Sequence, residues 1–179
     1  VIIFISLLLL VSFFKHPANR FRLNRLQSKL EGSMITNQAA GSAHTVPDIE
    51  IQSTSGQFLK LSDFRGKIVF LNFWATWCPP CLAELPSINS LKKKLADRQD
   101  VDFIMLDVDG NLEKSAAFMQ NKAYDLNVYA PASNIPSSLL GRGIPVTVII
   151  GKNGDIIYRH EGTADYDTPA ILELINALN

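Results

Sequence analysis

The sequence predicts an α/β domain: a central mixed β-sheet flanked by helices, with an N-terminal β-hairpin extension and an apolar membrane-anchor segment ahead of it. Three observations carry this. The short, almost wholly apolar run Ile68–Phe73 and the strand-like run Val101–Val108 are each followed by a stretch with helical periodicity. Two β-rich runs near the C-terminus are separated by an Asn-Gly turn. The 179 residues suffice for one domain of ordinary size plus an appendage.

The elements follow in order. Ile49 and Ile51 alternate with Glu50 and Gln52, and Phe58 to Leu61 follow Ser55-Gly56, which predicts a hairpin. Residues 62–67 (SDFRGK) form a turn. Ile68–Phe73 reads IVFLNF, the composition of a central strand buried on both faces. Residues 78–97 place Leu82, Leu85, Ile88, Leu91 and Leu95 on one helical face and Lys92, Lys93 and Lys94 on the other. Pro86 is expected to kink this helix. Val101–Val108 is the next strand and Glu113–Asn121 the next helix, with Ala116, Ala117 and Phe118 inward. Residues 122–144, with Pro131 and Pro136, read as loop-rich. Val146–Ile150 and Ile156–His160 flank Lys152-Asn153-Gly154-Asp155 and form a second hairpin. Thr168–Leu178 closes the chain as a helix, with Pro169 in its first turn and Ile171, Leu172, Ile175 and Leu178 as its apolar face. The order ββ, βαβα, ββα requires parallel crossovers and an antiparallel terminal hairpin.

Charge divides the chain. Residues 1–45 carry five basic groups and one acidic group, whereas residues 46–179 carry 12 basic and 16 acidic groups. Val1–Phe14 (VIIFISLLLLVSFF) is uncharged and apolar, but shorter than the roughly 20 residues a spanning helix needs. It opens on Val rather than Met and is expected to be the end of a longer segment. No small-residue cleavage site follows it closely, so residues 1–18 are read as an uncleaved single-pass anchor. Phe21, Leu23, Leu26, Leu30 and Met34 interleave with Arg22, Arg25 and Lys29, which suits a basic amphipathic helix on anionic headgroups or a solvated charged helix. Gly32–Thr45 reads as a flexible tether, so residues 19–45 join the anchor to a domain over 46–179. The basic flank alone would keep that domain cytoplasmic. The thiol chemistry below places it on the extracytoplasmic, periplasmic side, where disulfides persist.

Composition narrows the function. Two cysteines exclude a disulfide-dense mini-protein and a four-cysteine metal cluster. A balanced net charge removes the electrostatic argument for nucleic-acid binding. The two cysteines stand in Trp77-Cys78-Pro79-Pro80-Cys81, where the first strand of the βαβα unit turns into its helix. A thiol at a helix N-terminus meets the positive end of the dipole and unpaired N–H groups, both of which favour thiolate. Cys81 lies one turn inward. Cys78 is therefore expected to be the exposed attacking sulfur and Cys81 the resolving one, in thiol–disulfide exchange through a mixed disulfide. Pro79 and Pro80 lack N–H groups, so few donors reach Cys78, which implies a reducing rather than a strongly oxidising couple. The blander readings are weaker. A zinc site lacks further ligands in a paired spacing, since the histidines are His16, His44 and His160. Haem attachment needs His where Leu82 stands. A structural disulfide closing so small a loop removes little chain entropy.

These residues resemble the thioredoxin superfamily, specifically its membrane-tethered TlpA/ResA-like thiol–disulfide oxidoreductases, over residues 46–179. The resemblance is strongest in Leu71 to Cys81 (LNFWATWCPPC), continued by Glu84 and Pro86, and in Gly143-Ile144-Pro145. It implies a thioredoxin-like fold, no cofactor, re-reduction by a membrane electron donor, and disulfide-containing envelope clients, apocytochrome c among them. It also implies that Pro145 is the family's cis-proline opposite the cysteine pair, with the Ile144 backbone free to pair with an extended substrate. Ordinary thioredoxins have a buried Asp where Asn72 stands. The family resembled has a Glu three residues after the second cysteine, matched by Glu84. A desolvated carboxyl there could shuttle the Cys81 proton, although the position also suits a surface helix residue. Trp74 and Trp77 are expected to wall the site, Trp77 as the better substrate contact and Trp74 equally suited to the core.

Other readings use the same residues. A thiol peroxidase is a second enzymatic reading, since Thr76 precedes Cys78. A copper-chaperone-like binding module would use cysteines with three residues between them and a distant His, whereas two residues separate them here and only His160 lies downstream. Asp107-Val108-Asp109-Gly110-Asn111-Leu112-Glu113 looks like a calcium loop, but its Gly and Glu fall at the wrong positions, and a strand end followed by a helix cap fits better.

Overall fold

The computed structural model describes residues 45–178. The expected anchor and all of the expected tether except Thr45 lie outside the described residues. Among the described residues no helix is long and apolar enough to cross a membrane. Seven strands, β1 (Glu50–Ser53), β2 (Phe58–Lys60), β3 (Ile68–Trp74), β4 (Val101–Asp107), β5 (Val128–Pro131), β6 (Val146–Ile150) and β7 (Ile156–Glu161), form one sheet in the order β2-β1-β5-β4-β3-β6-β7. β3, β4 and β5 pair in parallel and the remaining pairs are antiparallel. The helices are α1 (Pro79–Lys94), α2 (Leu112–Asn121), α3 (Ser137–Leu140) and α4 (Pro169–Asn176), with a 3-10 turn over Leu61–Phe64.

The mixed sheet and both hairpins follow the sequence reading, with two additions. Within the loop-rich residues 122–144 lie two elements not anticipated, β5 and α3. Pro131 concealed β5. Its missing N–H is tolerated because it ends the strand, opposite Ile51. Because β5 pairs with both β4 and β1, the N-terminal hairpin is part of the main sheet.

β3 is the axis of the packing, with all seven residues buried. Its side chains alternate between two cores. Ile68, Phe70 and Trp74 join Leu85, Ile88, Leu91 and Leu95 at α1, Met119 of α2, and Ile171 and Ile175 of α4. Val69, Leu71 and Phe73 join Ile104, Leu106, Val146, Val148, Ile51 and Leu139 on the other face. The expected α1 face is correct, and the helix runs through Pro86 as one element. α2 is turned from the expected orientation. Ser115 and Met119 are its buried residues, Phe118 is half-buried, and Ala117 is exposed. The stripe Leu112, Ser115, Met119 sets that face, and a serine within it hides the pattern.

The chain enters beside the β6–β7 turn. Thr45 bridges Asp155, and the Val46 N–H donates to the Gly154 carbonyl at 2.8 Å.

Ile88 is fully enclosed between α1 and β3. Ile88→Ala should therefore cost about 3 kcal/mol, through lost burial and the cavity left behind. Urea denaturation at neutral pH measures this, and a loss well under 1 kcal/mol would contradict close packing of α1 on the sheet.

Candidate active site

β3 ends at Trp74, and three residues later the chain enters α1 with Cys78 as its N-cap. The Cys81 N–H donates to Cys78 Sγ at 3.3 Å. Pro79 and Pro80 fill the first helical positions and have no N–H to offer, so the cap rests on this single donor. Cys78 and Cys81 are joined as a disulfide, with Cα atoms 5.3 Å apart. Contrary to the expectation of an exposed Cys78, its residue is only 3% exposed, and Cys81 is fully buried. The cover comes from the loop before β6: the Ile144 carbonyl oxygen lies 4.0 Å from Cys78 Sγ. The Ile144–Pro145 peptide is cis. Among the described residues the Ile144 N–H and C=O have no backbone partner.

The segment after β7 ties these loops together. The Gly162 N–H donates to the Pro145 carbonyl at 2.9 Å, and Thr163 Oγ1 donates to the Pro80 carbonyl at 3.1 Å. The Tyr166 N–H then donates to Ser87 Oγ at 3.1 Å, on α1.

The two tryptophans separate. Trp74 does not wall the site. It is fully buried, packed against Phe118 with ring centroids 5.9 Å apart. It ends a β3 row that faces the α1 core. Trp77 is 60% exposed beside Cys78, and its indole N–H donates to the Asp109 carboxylate. Sequence reasoning missed Asp109 as a site residue. The signal was the parallel pairing of β3 with β4, which sets Trp74 beside Asp107 and brings the loops that follow together.

Glu84 is not a surface residue: it is 1% exposed. Its Oε1 accepts from Asn72 Nδ2 at 2.7 Å and its Oε2 from the Ala164 N–H at 3.3 Å. Burial pushes its carboxyl up to about 7, against the lowering effect of the Asn72 and Ala164 hydrogen bonds. Asn72 also donates to Thr147 Oγ1 at 2.9 Å, its cross-strand neighbour on β6. Thr147 and Ala164 were not singled out in the sequence. The first follows from the β3–β6 register, and the second is a backbone group that no motif announces.

The residues with a calcium-loop look serve the backbone. The buried Asp107 carboxylate accepts from Ser115 Oγ and from the Asp109 N–H, and Asn111 caps α2 by accepting from the Lys114 N–H. Among the described residues no group of three or more His, Cys, Asp or Glu side chains could hold a metal ion. His160 stacks on Tyr158.

Comparison with known proteins agrees with this geometry. The model of the redoxin family matches residues 39–175. The thioredoxin-like protein YneN of Bacillus subtilis is 34% identical over 119 residues, covering 65% of this chain and 69% of that protein. The thiol–disulfide oxidoreductase ResA of Bacillus thuringiensis is also 34% identical over 119 residues, covering 65% of this chain and 67% of that protein. The crystal structure of an exposed lipoprotein thioredoxin of Streptococcus pneumoniae superposes with a TM-score of 0.55 at 29% identity, covering 74% of this chain and 100% of that one. With a thioredoxin-like sheet and the Cys78–Cys81 pair at a strand–helix turn, the chain belongs to the redoxin family, as a ResA/TlpA-like thiol–disulfide oxidoreductase.

Proposed function

We propose that the protein is a membrane-anchored reductase of protein disulfides, working on the extracytoplasmic side of the cell membrane. The observation that carries this reading is the Cys78–Cys81 disulfide at the head of α1, with a buried carboxyl one helical turn further in. In the reduced enzyme the Cys78 thiolate attacks a client disulfide. A mixed disulfide forms, and the first client sulfur leaves as thiolate. Glu84 takes the proton of Cys81. The Cys81 thiolate then attacks Cys78 Sγ, releasing the second client sulfur and leaving the enzyme oxidised. Two electrons pass to the client, and a membrane electron donor returns them.

Trp77 offers the client an exposed apolar ring beside the attacking sulfur. Ile144, next to Pro145, offers a backbone N–H and C=O that have no backbone partner to an extended client segment, as an added strand would use them. The single N–H donor to Cys78 supports the reducing direction, since it stabilises the thiolate only modestly. Clients are oxidised envelope proteins, with apocytochrome c one such client. The exposed lipoprotein relative and the persistence of disulfides outside the cytosol support the location.

Dithiothreitol-driven reduction of insulin tests the activity. The wild-type protein should accelerate it, Cys78→Ser should abolish the acceleration, and Cys81→Ser should accumulate a mixed disulfide through Cys78. No acceleration and no trapped adduct would sink the reading.

Glu84 also sets a stability signature. Below about pH 4.5 it is protonated in the folded and unfolded chains alike. Between 4.5 and about 7 the unfolded chain releases the proton while the folded one keeps it, so stability falls as pH rises through that window. The whole loss is about 3 kcal/mol. Glu84→Gln should remove that slope, measured by urea denaturation at pH 5 and pH 8. Parallel wild-type and variant pH dependences would show that the Glu84 carboxyl is not raised.

A further inference from the structure

Asn72 breaks the row in which it stands. Ile68, Phe70, Asn72 and Trp74 share one face of β3, and the other three belong to the apolar core under α1. Asn72 is fully buried, and the two ends of its amide are treated unequally. Nδ2 uses both hydrogens, one on Glu84 Oε1 and one on Thr147 Oγ1. Oδ1 is buried with no partner.

An amide is nearly symmetric in shape, and turning it over exchanges two donors for an acceptor with two lone pairs. In the orientation seen, the amide suits an ionised Glu84, which can only accept. Turned over, Oδ1 would accept from the O–H of a protonated Glu84 and from the hydroxyl of Thr147. Each orientation makes two hydrogen bonds and leaves one amide atom empty. A carboxylate at this position would repel an ionised Glu84, and an apolar side chain would offer it nothing.

We propose that Asn72 is the positioning residue for Glu84: its amide turns over as the carboxyl gains or loses a proton, so Glu84 holds its place in both states. The proposal rests on Glu84 acting as the proton acceptor for Cys81. The titratable groups that feel the Glu84 charge are Tyr158 on β7 and Tyr166 before α4. Burial first, and then the Glu84 charge among the other causes, push both phenols up, so they stay neutral.

The test follows the carboxyl C=O band of Glu84 by infrared spectroscopy against pH, in the full chain, assigned by its loss in Glu84→Gln. Asn72→Leu should raise the midpoint by about one pH unit, because of the two hydrogen bonds lost, one in each protonation state, the one to the ionised carboxylate is the stronger. Thr147→Val should raise it by less. In the Glu84→Gln background neither change should move the pH profile of insulin reduction. A midpoint unmoved in Asn72→Leu would overturn the proposal. Should that variant fail to fold, the side-chain NH₂ resonances of Asn72 in the wild-type protein decide. They should shift with the Glu84 midpoint, and resonances indifferent to pH would overturn it. If Glu84→Gln leaves the profile of insulin reduction unchanged, Glu84 is not the proton acceptor, and the infrared titration still reports whether Asn72 controls its protonation.

Discussion

The complete burial of β3 is the constraint on which the site depends. A strand enclosed on both faces, with parallel and antiparallel neighbours, has its end fixed by the sheet rather than by its own sequence. The turn after Trp74 therefore delivers Cys78 to the head of α1 in one place. Two prolines then strip the first turn of donors, leaving the Cys81 N–H as the one group that caps the sulfur. The same strand supplies Asn72 from its interior. One element thus sets both the sulfur geometry and the polar pocket behind it.

That pocket is an exception to the packing around it. A carboxyl at 1% exposure is unfavourable unless its oxygens find donors, and Glu84 receives one from a side chain and one from the backbone. These do not cancel the desolvation, which keeps its proton affinity near neutrality. A carboxyl so poised trades stability at high pH for the capacity to take a proton at physiological pH.

Much of this was legible in the sequence because the signals were local. The apolar run Ile68–Phe73, the Asn-Gly turn and the cysteine spacing each report on neighbouring residues, and each placed its element correctly. What stayed hidden depends on residues distant in the chain. β5 is four residues long and ends in proline, so only its pairing with β1 and β4 makes it a strand. Ser115 is buried because Asp107 accepts its hydroxyl. The partner of Trp77, the enclosure of Cys78 by the Ile144 carbonyl, and the Ala164 N–H on Glu84 all arise where separate loops converge. The tryptophans fall between the two cases: position beside Cys78 favours Trp77 as the contact, whereas Trp74 stays open between site and core until its burial places it in the core.

The way in which the chain joins the sheet has a mechanical consequence. Thr45 and Val46 are stitched to the β6–β7 turn, whereas Pro145 and the disulfide stand at the other end of β6, roughly 15 Å away along a five-residue strand. The described chain therefore joins the sheet at the end opposite the disulfide. Thr45 and Val46 are therefore clear of any client that docks at the sulfurs.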